Sequence, residues 1–187
     1  MTAMTTHIAL IRGINVGRNK RIAMADLRAM LASLGYRDVR TLLQSGNAVF
    51  TAPGSTTAVA KAIEDAMTEQ LKVSARVLVR SPTQLARAID ADPFDGRAPD
   101  GSKHFLGFLD EKPAAATVDA VPQLASTDRA ADSTIDHARY VDGHLYLWCP
   151  NGISKSTLWQ VNWDKALGTA VTLRNWNTVT KLLELAA

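Results

Sequence analysis

An α+β fold in two parts is what this sequence predicts, and three observations predict it. The first eighty residues alternate short apolar runs with helical stripes in the order β-α-β-β-α-β. Two alternating runs near the other end flank Asp142-Gly143, a strong hairpin signal. Between these two regions lies a segment rich in Gly, Pro and charge, which reads as loop. The boundary is placed near residue 81, with a subdomain over 1–80 and a second, antiparallel α/β subdomain over 81–187.

His7 to Arg12 is a short apolar run and reads as a strand. Leu27, Met30, Leu31 and Leu34 fall at i, i+3, i+4 and i+7, one apolar stripe on a helix that Gly35 ends. Val39–Gln44 and Asn47–Thr51 are strands, with Ser45-Gly46 as a tight turn between them. Ser55 or Thr57 caps a second helix striped by Val59, Ile63, Ala66, Met67 and Leu71, and Ala75–Val79 is the fourth strand. Four strands backed by two helices in this order form a ferredoxin-like βαββαβ arrangement. Ser81-Pro82-Thr83-Gln84 then opens a third helix through a capping box. His104–Leu109 is a strand, and residues 110–133 read as loop with a short helix.

A two-residue turn at Asp142-Gly143 pairs Val141 with His144, Arg139 with Tyr146 and His137 with Trp148. That face collects two histidines, an arginine and two aromatic rings, whereas Ala138, Tyr140, Leu145, Leu147 and Cys149 form an apolar face suited to a core. A helix from about Ser156 to Leu167, stopped by Gly168, and a C-terminal helix striped by Trp176, Val179, Leu182 and Leu183 complete the reading.

With 187 residues, 47% hydrophobic and 21% charged, the chain has the composition of an ordinary globular protein. Cys149 is its only cysteine, which excludes an intrachain disulfide and a thiolate zinc cage. No apolar run approaches the roughly 18 residues of a membrane helix, and Ile8–Ile11 stops at Arg12, short of a signal-peptide core. A cytoplasmic protein without a membrane partner is the expectation. The net charge of +3 is unevenly placed. Residues 1–89 hold twelve Lys/Arg against five Asp/Glu, and residues 90–142 hold five against eleven. Such asymmetry steers anions toward one region, or draws opposite regions or a second copy together.

Residues 12–21 contain Arg12, Arg18, Lys20 and Arg21 and no acid. Gly13-Ile14-Asn15-Val16-Gly17-Arg18-Asn19-Lys20 follows a strand and precedes a helix, the place where backbone N–H groups and cations meet phosphate. It is neither a Walker A loop, which puts Lys-Ser/Thr directly after its second glycine, nor the dinucleotide fingerprint, which needs a parallel βαβ unit. Gln44-Ser45-Gly46-Asn47 offers an exposed hydroxyl beside two amides, without a nucleophile elbow around Ser45. Ser154-Lys155-Ser156 reads as a helix entrance, its hydroxyls capping and Lys155 facing a phosphate. In Arg174-Asn175-Trp176-Asn177-Thr178, Asn175 or Thr172 caps the last helix, Trp176 packs into core, and Arg174 meets an anion or one of the acids of 90–142. The four histidines have no metal-ligand spacing, and neither a metal nor a cofactor is implied.

Arg12-Gly13-Ile14-Asn15-Val16-Gly17, Gln44-Ser45-Gly46-Asn47, Asn151-Gly152-Ile153-Ser154-Lys155-Ser156 and Arg174-Asn175-Trp176-Asn177-Thr178, in this order, resemble the uncharacterised bacterial family catalogued as domain of unknown function 1697. The resemblance spans nearly the whole chain and implies two α/β subdomains with antiparallel sheets, the first ferredoxin-like. It implies no activity, ligand or catalytic residue. Arg18 departs from the small residue expected there and makes the loop more basic.

The residues point to an anionic, base-bearing ligand, a nucleotide or single-stranded nucleic acid. The candidates are Arg12, Asn15, Arg18, Asn19, Lys20, Ser45, Asn47, Lys155, Arg174 and Asn175, with His137, Arg139, His144, Tyr146 and Trp148 as an aromatic and basic face for stacking. The strands of the first half offer Phe50 alone, so the stacking platform of an RNA-recognition motif is missing there. The alternatives are an enzyme acting on a small phosphorylated metabolite in a cleft between the halves, or a protein-interaction module.

Overall fold

A computed structural model describes residues 3–16, 20–124 and 133–187. Arg18 and Asn19, and residues 125–132 of the 110–133 segment, lie outside the described residues. Two units are distinguished: residues 1–86 with 181–187, and residues 87–180.

In the first unit, β1 (Met4–Ile11), α1 (Met24–Ser33), β2 (Arg37–Leu42), β3 (Asn47–Pro53), α2 (Thr56–Leu71) and β4 (Val77–Arg80) follow in the order read from the sequence. The sheet order is β2-β3-β1-β4, with every neighbouring pair antiparallel. This is the split βαββαβ arrangement, in which the middle strands β3 and β1 each bury five residues. Leu27, Met30 and Leu31 of α1 and Val59, Ile63, Ala66 and Met67 of α2 pack on Ala9, Ile11, Ala48, Phe50, Val77 and Val79 of the sheet. Tyr36 stacks on Phe50 with ring centroids 4.9 Å apart. Ser55 caps α2 by accepting from Ala58 N, and the left-handed Gly35 follows α1, as the sequence predicts.

One turn differs from expectation. The connection between β2 and β3 is the four-residue loop 43–46, with Leu42 paired to Asn47, rather than a two-residue turn at Ser45-Gly46. Leu43 adopts φ +59° and Gly46 φ +82°. The buried Asn47 side chain fixes this path, donating from Nδ2 to Leu42 O at 2.9 Å and to Ser45 Oγ at 3.0 Å.

α3 (Pro82–Asp90) carries the expected capping box: Ser81 N donates to Gln84 Oε1 at 2.8 Å and Gln84 N to Ser81 Oγ at 3.1 Å. The second unit contains β5 (His104–Leu109), α4 (Ala115–Asp119), β6 (His137–Val141), β7 (His144–Trp148), α5 (Trp163–Leu167), β8 (Val171–Asn175) and the start of α6 (Trp176–Ala186). Its sheet, ordered β6-β7-β5-β8, is antiparallel throughout. Asp142 at φ +47° and Gly143 at φ +83° make the tight turn, and the predicted partners Val141–His144, Arg139–Tyr146 and His137–Trp148 are the observed ones. Ala138, Leu145, Leu147 and Cys149 form the core face against Leu158, Trp163 and Leu167.

Two elements correct the sequence reading. The edge strand β8 was not expected. The helix expected from Ser156 to Leu167 is divided into a 3-10 turn at Thr157–Gln160 and the short α5, and a first 3-10 turn at Ile153–Lys155 precedes it. Ser156 caps the second of these turns, its buried hydroxyl donating to Asp136 Oδ2 at 2.6 Å and accepting from Leu158 N at 3.0 Å, and the interruption falls at the extended Val161. Asn162 restarts the chain as α5 by accepting from Lys165 N at 3.0 Å.

Candidate functional site

The first two polar motifs meet at the end of β1. Ile11 N donates to Gly46 O at 2.8 Å, which lays the 43–46 loop against the strand end. The approach needs a glycine: a Cβ at Gly46 would stand 2.8 Å from Ile14 Cδ1, and the residue's positive φ disfavours any side chain. Asn15, itself at φ +56°, closes the preceding loop and ties it to this turn. Its backbone N donates to Lys20 O at 3.0 Å. Its side chain accepts from Ile22 N at 2.8 Å and donates to Ile22 O at 2.9 Å and to Gln44 O at 2.8 Å. One carboxamide therefore joins three backbone groups on two turns.

The platform so formed combines three properties. Its backbone is left-handed at Gly13, Asn15, Lys20, Leu43 and Gly46, a conformation that glycine adopts freely and asparagine tolerates but that strains Lys20 and Leu43. It carries cations, with Lys20 and Arg21 exposed and Arg12 half-buried. It also presents aliphatic surface to water: Val16 is 71% and Leu43 59% exposed. Sequence reasoning missed both of these side chains. The available signal is an apolar residue inside a Gly/Asn loop, where no periodic face exists to bury it.

Of the residues singled out from sequence, Arg12, Asn15, Lys20, Ser45 and Asn47 thus belong to one place. Asn15 and Asn47 act there as locks, their amides engaged by backbone. The residues from the later motifs belong to the second unit. Asn175 caps α6, its Oδ1 accepting from Thr178 N at 2.9 Å. Thr172 is a β8 residue and not a cap. Arg174 stands on β8 opposite Leu106 of β5, and its Nη1 donates to Leu173 O at 2.9 Å. Burial pushes its guanidinium down to about 10, so it stays charged at neutral pH. Lys155 is exposed on the first 3-10 turn.

The hairpin face is covered rather than open. Tyr146 is fully buried, its hydroxyl donating to Ala88 O at 2.7 Å. Trp148 is buried with Nε1 donating to Ser133 O at 2.8 Å, and His137 lies 6.0 Å from the Phe94 ring. Arg139 and His144 are half-buried at its margin. Buried rings offer no face to a base, so this hairpin is no stacking platform.

The same face holds a cluster that the sequence does not reveal. Asp92 Oδ1 lies 3.2 Å from His104 Nε2, outside hydrogen-bond alignment, and accepts instead from Phe94 N at 3.0 Å. The His104 ring stacks on Trp176 at 4.1 Å and 13°. No residue spacing announces this cluster, because its parts come from a loop, a strand and a helix start. Cys149 lies on the opposite face, fully buried, where desolvation pushes its thiol up to about 11 and makes it unreactive. Among the described residues, no group of three or more His, Cys, Asp or Glu is placed to hold a metal ion. No described helix is long and apolar enough to cross a membrane.

Comparison with known proteins adds three findings. A family model described as "Protein of unknown function (DUF1697)" matches residues 4–138. The solved structure of the conserved bacterial protein SP0830 from Streptococcus pneumoniae superposes with a TM-score of 0.75 at 22% identity, covering 99% of this chain and 100% of that one, a likeness of fold. Among curated proteins, none matches the chain.

Proposed function

The chain belongs to the DUF1697 family of proteins of unknown function, and from its own residues we propose that it binds an anionic ligand of the nucleotide class on the Asn15-locked platform of the first unit. The observation that carries this reading is the joining, by one carboxamide, of a basic loop to a strained turn that exposes aliphatic surface. Strained backbone persists where the surroundings over-determine it, and such positions gather at ligand sites. Arg12, Lys20 and Arg21 attract the phosphate, with Arg18 and Asn19 joining them by their place in the chain. Val16 and Leu43 give the less polar body of the ligand a surface. The excess of twelve cations over five anions in residues 1–89 steers such a ligand toward this region.

Fluorescence anisotropy of a labelled single-stranded oligonucleotide, with ATP as competitor, tests the reading. If three cations each neutralise one phosphate, affinity for the single strand falls with a log–log salt slope of about −2, or about 18-fold between about 50 and 200 mM salt. The double variant Lys20→Ala/Arg21→Ala weakens both ligands and flattens that slope. Absence of saturable binding by oligonucleotide and ATP alike at the lower salt, or equal affinities in variant and wild type, overturns the proposal. Competition by ATP without oligonucleotide binding narrows the ligand to a free nucleotide.

A further inference from the structure

We propose that Trp159 in the second unit is a stacking site for the base of a phosphate-bearing ligand. This deepens the nucleotide-class reading and rests on it, but the observations are separate. Trp159 is 62% exposed, although an indole of this size is buried in most folds. It is also held in place. The 3-10 turn Thr157–Gln160 that carries it is fixed on one side by Ser156, whose Oγ bonds both Asp136 Oδ2 and Leu158 N, and by Thr157 N, which donates to Asp136 Oδ2 at 3.2 Å. On the other side the buried Trp163 donates from Nε1 to Leu158 O at 3.1 Å. Leu158, next to Trp159, is buried in the core. An exposed ring on an immobilised turn loses little freedom on binding, which is the property of a recognition anchor.

Charge selects the occupant. Lys155 and Lys165, flanking Trp159 in the chain, are both exposed. The nearby Asp136 and Asp164 are half-buried and turned to donors of the fold, Asp136 to the Ser156 hydroxyl and Thr157 N and Asp164 to Val171 N at 3.0 Å, whereas both lysines reach solvent. An exposed indole with exposed ammonium groups before and after it suits a ligand with a π-face and a negative charge, which is a nucleobase joined to phosphate. An apolar or acidic-peptide partner would use the lysines or the ring, whereas a nucleotide unit uses both.

The test is titration of the full chain with an oligothymidylate and, separately, with thymidine monophosphate, read through tryptophan emission and parallel anisotropy. Trp148 and Trp163 are buried and the half-buried Trp176 is stacked on His104, so quenching that disappears in Trp159→Phe belongs to Trp159. Trp159→Ala weakens oligothymidylate binding about five- to a hundredfold. Trp159→Phe retains part of the affinity and loses the quenching, and both variants keep the wild-type circular dichroism because the side chain is exposed. Quenching by the monophosphate as well as the oligomer assigns a free-nucleotide site; quenching by the oligomer alone assigns a single strand. Equal affinity in Trp159→Ala and wild type overturns the site while leaving the Lys20/Arg21 loop as the binding locus. Loss of affinity in Trp159→Ala with none in Lys20→Ala/Arg21→Ala does the reverse, supporting Trp159 and overturning the loop. Emission that changes with protein concentration and not with ligand shows that the ring meets a second copy, and overturns the proposal too.

Discussion

Replacing Asn15 by Ala removes the lock between the two turns, and its cost follows from the bonds described. The side chain makes three hydrogen bonds, two to the buried Ile22 and one to the exposed Gln44. At about 1 kcal/mol net for each bond to Ile22 and about 0.5 kcal/mol for the exposed one, their loss amounts to about 2.5 kcal/mol. Alanine at φ +56° adds about 1 kcal/mol of left-handed strain that asparagine largely avoids. The sum is about 3.5 kcal/mol, a fall in Tm of about 10 °C for a chain of this length. Asn15→Gly separates the two contributions, because glycine adopts the positive φ freely yet makes none of the three bonds; it costs about 2.5 kcal/mol. Differential scanning calorimetry with parallel urea titration measures both variants. A Tm for Asn15→Ala within about 2 °C of wild type refutes the lock. Equal losses for alanine and glycine refute the strain component alone.

Two further outcomes follow from the same physics. Gly46→Ala places a Cβ 2.8 Å from Ile14 Cδ1 at φ +82° and costs about 2–3 kcal/mol in urea titration, whereas Gly13→Ala, at φ +68° with nothing within 4 Å, costs only about 1 kcal/mol; the opposite ranking refutes the packing account. The native Cys149 thiol, raised from 9.0 to about 11, keeps its proton where the unfolded thiol has lost it, so the unfolded state binds fewer protons between these values and stability falls as pH rises through that window. A shift of about two units corresponds to about 2.7 kcal/mol when complete, and a Cys149→Ala variant with an unchanged decline between pH 9 and 11 refutes the assignment.

What the sequence made legible is local. The register of β6 and β7 follows from Asp142-Gly143 because a two-residue turn leaves one pairing, and the capping box at Ser81 and Gln84 is complete within four residues. The order of the first six elements is legible because each stripe has the period of its own element. The misses are non-local. β8 is five residues long and pairs, among the described residues, only with β5, more than sixty residues earlier, and nothing inside Val171–Asn175 announces that partner. The turn after Ser156 is tied to Asp136, twenty residues upstream, by the serine hydroxyl, a contact that no local pattern announces. The candidate site divides in the same way. Its two polar turns are conspicuous in the sequence, but the Asn15–Gln44 bond that makes them one surface spans 29 residues.

Conspicuous residues and exposed residues then play different parts. Asn15, Asn47, Ser156 and Asn175 mark the four motifs, and each is engaged with backbone: two lock turns, one anchors a 3-10 turn and one caps a helix. A buried or half-buried backbone group left without a partner is costly, so the amides and hydroxyls that satisfy such groups are fixed by the fold before any ligand arrives. Val16, Leu43 and Trp159 are instead exposed to water, an energetic disadvantage that the proposed ligand would relieve. Substitution of the locking residues should therefore appear first as lost stability, and substitution of Val16, Leu43 or Trp159 first as lost affinity with the melting curve unmoved. The residues that make these motifs recognisable build the surfaces, while the less recognisable side chains beside them are the ones to which the proposed binding assigns the ligand contacts.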